Sequence, residues 1–366
     1  MRVVHVFWSL TYGGIETMLA NIANAQAESG AEVHVCIIKD VYKEELIKSF
    51  RGDVTLHFLH GQSKIKRIGS IFKLNRLLMQ LQPDAIHLHS CRLYTYLWHN
   101  RLKRVTSTTL HNLPNSKRGR DGFLSKLFPF LITSNTIYNM VPRVFSISSV
   151  VQKMLLEKYG VRSTVVCNGI LTKNFLLRQE RQSHNPLRIV MVSRLNHEHK
   201  GQDLLIKAAV GLNGLVHVDL IGDGSSKDYL QKLIYELHAE ELVSLLGTKP
   251  QPYIAEHLAD YDLFVQPSRW EGFGLTVAEA MAAKVPVLVT AGQGPAEVTC
   301  GDKFGWTFEN GNVDDLTTKI QYILEHYNEA MNKAESALCH VRNTYDVSVT
   351  ARKYLDLYNS KPTRQG

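Results

Sequence analysis

The chain has 366 residues, of which 44% are hydrophobic and 21% charged, with a formal net charge of +8. That length is enough for two cores of ordinary size, and the balance excludes a disordered chain. The five cysteines, Cys36, Cys91, Cys167, Cys300 and Cys339, fit no zinc or redox spacing and point to a reducing compartment. The first residues read as a strand and lack the features of a signal peptide, and no apolar run reaches the ~18 residues of a membrane span. A cytoplasmic protein is expected. The positive charge implies anionic partners without choosing among phosphates, lipids and nucleic acid, but no nucleic-acid-binding motif is present.

In chain order, a strand over 3–8 leads into a helix over 14–28, and strands follow at 32–38 and 54–59. A helix over 68–80 precedes strands at 85–89, 105–110 and 143–147, with a helix at 150–159. A polar stretch, 171–186, breaks this alternation and reads as a linker. Strands then recur at 187–192, 216–221, 243–246, 263–265 and 285–289, with helices at 202–209, 229–238 and 275–283. The segments 313–327 and 347–358 read as closing helices. Repeated βα units imply parallel sheets covered on both faces. The expected class is α/β, with two Rossmann-like domains, 1–170 and 187–345, facing across a cleft.

Two segments mix basic and apolar residues. Lys64, Lys66, Arg67, Lys73 and Arg76 alternate with Ile65, Ile68, Ile71, Phe72, Leu74 and Leu77. Lys117, Arg118, Arg120 and Lys126 adjoin Phe123, Leu124, Leu127, Phe128 and Phe130. Each is either an amphipathic helix with a solvated basic face or a seat on an anionic membrane surface.

The densest chemistry lies in Pro267-Ser268-Arg269-Trp270-Glu271-Gly272-Phe273-Gly274-Leu275-Thr276-Val277-Ala278-Glu279. A buried strand ends there, and a glycine-containing turn opens a helix. Glu271 falls in the turn and Glu279 about one helical turn inside. Both can face the crevice beyond the strand ends, where open α/β sheets bind ligands. The amides of Phe273, Gly274 and Leu275 are free donors for an anion at the helix N-terminus. Carboxylates beside an anion site fit a ligand with both hydroxyls and phosphates, such as a sugar nucleotide.

With these residues stand Gly13-Gly14-Ile15-Glu16, His111, Asn168-Gly169-Ile170, Ser193-Arg194-Leu195, Lys200-Gly201, Ile221-Gly222-Asp223-Gly224 and Gly294-Pro295-Ala296-Glu297. In this order the chain resembles the retaining glycosyltransferases of family 4, which have the two-domain GT-B fold. The resemblance implies that Arg194 and Lys200 bring positive charge to the donor diphosphate. It implies that Glu279 pairs with the ribose hydroxyls, that Glu271 contacts the transferred sugar, and that His111 lies near the acceptor and donor sugar. Gly13, Gly14 and Gly222 belong to the donor-binding turns, and residues 346–366 form a helix returning to the first domain. The partners implied are a nucleotide-sugar donor and a glycan or lipid-linked acceptor, at the inner face of the plasma membrane if the basic segments seat there.

No cofactor and no required metal are expected. Asp260-Tyr261-Asp262 matches a metal-binding DxD but overlaps a buried strand, and His197 and His199 lack a third ligand. Lys284, Leu171 and Cys167 depart from the family pattern, where glycine, an acidic residue and proline are frequent. Two alternatives stay open: a sugar-nucleotide epimerase of the same fold, and a non-catalytic sugar-nucleotide-binding subunit.

Overall fold

The computed structural model describes residues 1–11, 14–111, 134–179 and 182–360. Gly13 and the basic segment around Lys117 lie outside the described residues. The chain forms two units: Met1–Gly169 together with the chain from Val347 onward, and Ile170–Asp346.

The first unit carries a parallel sheet of β1 (Arg2–Phe7), β2 (Glu32–Ile37), β3 (Thr55–Phe58), β4 (Ala85–Leu88), β5 (Thr106–Leu110), β6 (Arg143–Ser146) and β7 (Thr164–Val165). Their spatial order is β3-β2-β1-β4-β5-β6-β7. Val3 pairs with Val33 on one side and Ala85 on the other, so β1 is central, and its residues are apolar apart from Arg2 at its start and the buried His5. The second sheet has the order β10-β9-β8-β11-β12-β13. Its strands are β8 (Leu187–Val192), β9 (Val216–Ile221), β10 (Val243–Gly247), β11 (Leu263–Gln266), β12 (Val287–Thr290) and β13 (Trp306–Phe308). Chain order reverses between β1 and β4 in one sheet and between β8 and β11 in the other. These are the switch points at which the loops after adjacent strands diverge and leave a crevice.

Two features differ from the sequence reading. The segment 171–186 is no linker but part of the second unit. Leu176 and Arg178 donate their amides to the carbonyls of Ala255 and Ala283, and the Arg178 guanidinium pairs with Asp262 at 2.6 Å. A polar composition hid an anchoring residue whose charge is compensated inside. A helix at Tyr327–Thr344 also went unread. Its Ala330, Met331, Ala334, Ala337, Leu338 and Val341 are buried at helical spacing, but alanine makes that stripe weak in hydropathy. Lys284, at which the sequence departs from the family pattern, takes a φ of +58°, in the left-handed region that glycine adopts most readily.

The helix Val347–Asn359 packs within the first unit, where Ala351, Tyr354 and Tyr358 join Val3, Met18, Ile22 and Phe145 in one apolar cluster.

Candidate active site

In the second unit the loops after β8 and β11 meet at the switch point. The short helix His197–Lys200 ends on Gly201, and Lys200 donates an ion-paired hydrogen bond to Glu271 Oε2. Both side chains are largely covered, at 24% and 19% exposure, which strengthens the pair relative to one in open water. Gln266 at the end of β11 also reaches Glu271 Oε2 at 3.3 Å and is held by Thr276, whose hydroxyl donates to its amide oxygen at 3.0 Å. The Glu271 backbone is fixed on both sides: its amide donates to Gln293 Oε1 and its carbonyl accepts from the Gly294 amide.

The helix Leu275–Ala282 begins at Gly274, which takes a φ of +97° and lies against Pro295, so a side chain there meets both strain and a clash. The amides of Phe273, Gly274 and Leu275 meet no acceptor among the described residues. The Phe273 ring is buried against Tyr345 and anchors the turn. One turn into the helix, Glu279 accepts from Gln251 Nε2 at 2.9 Å. Although the residue keeps some exposure, burial of its carboxyl pushes the pKa up to about 7 against the lowering pull of Gln251.

Arg194 follows β8 with an exposed side chain and no ion-pair partner among the described residues. Gly222 directly follows β9 with a φ of +144°, and a Cβ there would stand 1.9 Å from the Ser193 carbonyl oxygen. Its place in the sequence pattern thus reflects close packing of two strand-end loops. Arg269 was missed in the sequence. Its guanidinium grips Asp203 through two bonds of 2.7 Å and the His197 carbonyl through a third, tying the Glu271 turn to the first turn of the helix Gln202–Gly211. The signal available was an arginine two residues before the glutamate, which names no partner.

In the first unit Gly14 opens the helix Gly14–Glu28 just beyond β1, and His111 lies one residue past β5. His111 Nε2 is 3.2 Å from His89 Nδ1. Burial drives the His111 pKa down to about 3, so the ring is neutral near physiological pH. The DxD match has no shared site. Asp262 is fully buried and spent on Arg178 and the Arg188 and His184 amides, while Asp260 pairs with His257. His197 stacks on Tyr229 at 4.0 Å and bonds to Ser226.

Two Rossmann-like units of this topology are the architecture of the GT-B fold. The family model for glycosyl transferases group 1 matches residues 173–338, and that for glycosyltransferase family 4 matches residues 12–174. The chain belongs to the family 4, group 1 glycosyltransferases. A poly(ribitol-phosphate) alpha-N-acetylglucosaminyltransferase of Staphylococcus aureus is 32% identical over 43% of this chain, and the match spans 32% of that protein's length. A glycosyltransferase of Methanocaldococcus jannaschii is 25% identical over 88% of this chain and 87% of its own. An Anabaena protein crystallised with UDP shares the fold, with a TM-score of 0.79 and 20% identity, covering 98% of this chain and 99% of that one.

Proposed function

We propose that the chain moves a sugar from a nucleoside-diphosphate donor to a hydroxyl of a cell-envelope glycan or lipid-linked acceptor, with retention and without a required metal ion. The observation that carries this reading is the covered Lys200–Glu271 pair at the switch point, with Arg194 alongside in sequence and Glu279 on the adjoining helix. Departure of the diphosphate builds negative charge, which Lys200 and Arg194 neutralise in place of a cation. One such charge at ~4 Å is worth about 4 kcal/mol at an effective dielectric of ~20, before desolvation. As Lys200 turns to the diphosphate it releases Glu271 to the transferred sugar. Glu279 accepts from the ribose, and the amides of residues 273–275 receive a phosphate. The Gly14 turn and His111 serve the reacting end. The acceptor enters on the face the diphosphate leaves, and the leaving phosphate takes its proton, so no covalent partner is needed. The Staphylococcus relative, which by its name modifies a poly(ribitol-phosphate), supports a polymeric acceptor.

Calorimetric titration with UDP and with GDP, in chelator, tests the donor site. One nucleotide is expected to bind at micromolar level, and Lys200→Ala is expected to weaken it about tenfold to a hundredfold, the size of one charged hydrogen bond. No binding of either nucleotide would sink the assignment.

The helix Lys64–Leu81 supports a membrane-presented acceptor. Ile68 and Phe72 are 60% and 58% exposed, beside exposed Lys73 and Arg76, and the Phe72 ring meets Trp98. No helix among the described residues is long and apolar enough to cross a membrane. Sedimentation with anionic vesicles is expected, and the pair Lys73→Glu and Arg76→Glu is expected to abolish it; wild-type protein left in the supernatant would remove this part of the reading.

A further inference from the structure

The first unit gathers a run of imidazoles, three buried and His111 half-buried, of which the proposed reaction uses only this last one. His5 on β1 and His87 on β4 are fully buried, His89 lies just beyond β4 at 4% exposure, and His111 follows β5. Alternate residues of an extended chain share a face, so His87 stacks on His89 at 4.6 Å, and the neighbouring parallel strand β5 brings His111 against His89 at 5.4 Å. Three of the rings are joined in series. Gln26 Oε1 lies 2.8 Å from His5 Nε2, His5 Nδ1 lies 3.1 Å from His89 Nε2, and His89 Nδ1 lies 3.2 Å from His111 Nε2. The far nitrogen, His111 Nδ1, is buried and meets no partner among the described residues.

Each link needs one N–H and one lone pair, and a neutral imidazole has one of each. Burial keeps the rings neutral: it lowers His5 to about 4 and His111 to about 3, and takes His87 and His89 well below the ordinary range. Gln26, Thr109, Tyr354, Tyr358, Phe7 and Phe145 face these rings, and none of them is a carboxylate that would hold a charge on one.

An amide oxygen only accepts, so His5 donates from Nε2 and offers a bare Nδ1. His89 must then donate from Nε2, and so must His111. We propose that Gln26 sets the direction of this ladder, so that His111 presents a lone pair at Nδ1 to a hydroxyl of the bound substrate. This rests on the reading of His111 as a site residue; Gln26, His5 and His89 act through it as positioning residues. A lone pair fixed before the hydroxyl arrives needs no reorganisation. The reversed amide would run every link the other way and turn Nδ1 into a donor.

Long-range proton–nitrogen spectra of the full chain labelled with ¹⁵N-histidine decide this, with His111→Gln identifying the signal. At neutral pH His5, His89 and His111 are expected to be uncharged, each protonated at Nε2. Gln26→Leu is expected to release His111 into a mixture of tautomers and lower kcat about tenfold, with the donor KM unchanged. A His111 proton at Nδ1, or a charged ring, overturns the proposal whatever the activity, and the wild-type spectrum suffices should Gln26→Leu not fold. A spectrum as expected with wild-type transfer by His111→Gln instead overturns the role given to His111, and leaves the ladder as a structural device.

Discussion

At the scale of the residue, Glu279 is the group whose environment makes the sharpest demand. An acid raised from 4.5 to about 7 binds its proton more tightly in the folded state than in the unfolded one. Its contribution to stability is therefore full below the unfolded value and is lost as pH rises through the folded one. The melting temperature of the wild type is expected to fall across that window relative to Glu279→Gln. Ribose hydroxyls donating to this carboxyl favour its charged form, so nucleotide binding is expected to expel a proton near the carboxyl's midpoint. Titration in two buffers of different ionisation enthalpy measures that release, which Glu279→Gln lacks. Equal heats in both buffers for the wild type would take Glu279 out of the nucleotide site. The sequence placed this glutamate one turn into a helix. It held no sign of Gln251, 28 residues upstream, or of the covering that shifts the carboxyl.

At the scale of the element, the site depends on two loops held in register. Asp203 and Arg269 are 66 residues apart, yet their paired bonds fix the turn after β11 to the helix that follows Lys200. Arg269→Ala leaves Asp203, whose side chain is 6% exposed, without its main donor and costs about 1.5–3 kcal/mol. A fall of several degrees in melting temperature is expected, with nucleotide affinity reduced because Lys200 and Glu271 lose their spacing. Arg269→Lys restores little, since an ammonium cannot make the two parallel bonds. If affinity stays at the wild-type value while stability falls, the clamp is structural only. The strands themselves were legible, because central parallel strands must be apolar on both faces. The clamp was not, because ordinary charged residues in a loop and a helix carry no mark of each other.

At the scale of the whole molecule, the chain returns to its beginning. Tyr354 is 1% exposed, and its hydroxyl is 3.0 Å from that of Thr109 on β5. Tyr354→Ala is expected to cost about 3–5 kcal/mol, as for other large buried rings. Nucleotide titration should be unaffected, because all of these contacts lie within the first unit; joint loss of both would show that the units do not fold separately. By itself the sequence determined the alternation of strand and helix and the turn chemistry around Glu271, and its ordered motifs carried the family resemblance. Each of these is local, resting on periodicity, on glycine and proline at fixed offsets, or on motifs a few residues long. Tertiary structure alone decided that Arg178 is an internal counterion rather than part of a linker, and that Lys200 pairs with Glu271. It also decided that Arg269 grips Asp203, and that four histidines on or just beyond three neighbouring strands gather in one cluster. Those pairings join residues far apart in the chain, and their strength comes from the covering that only packing supplies.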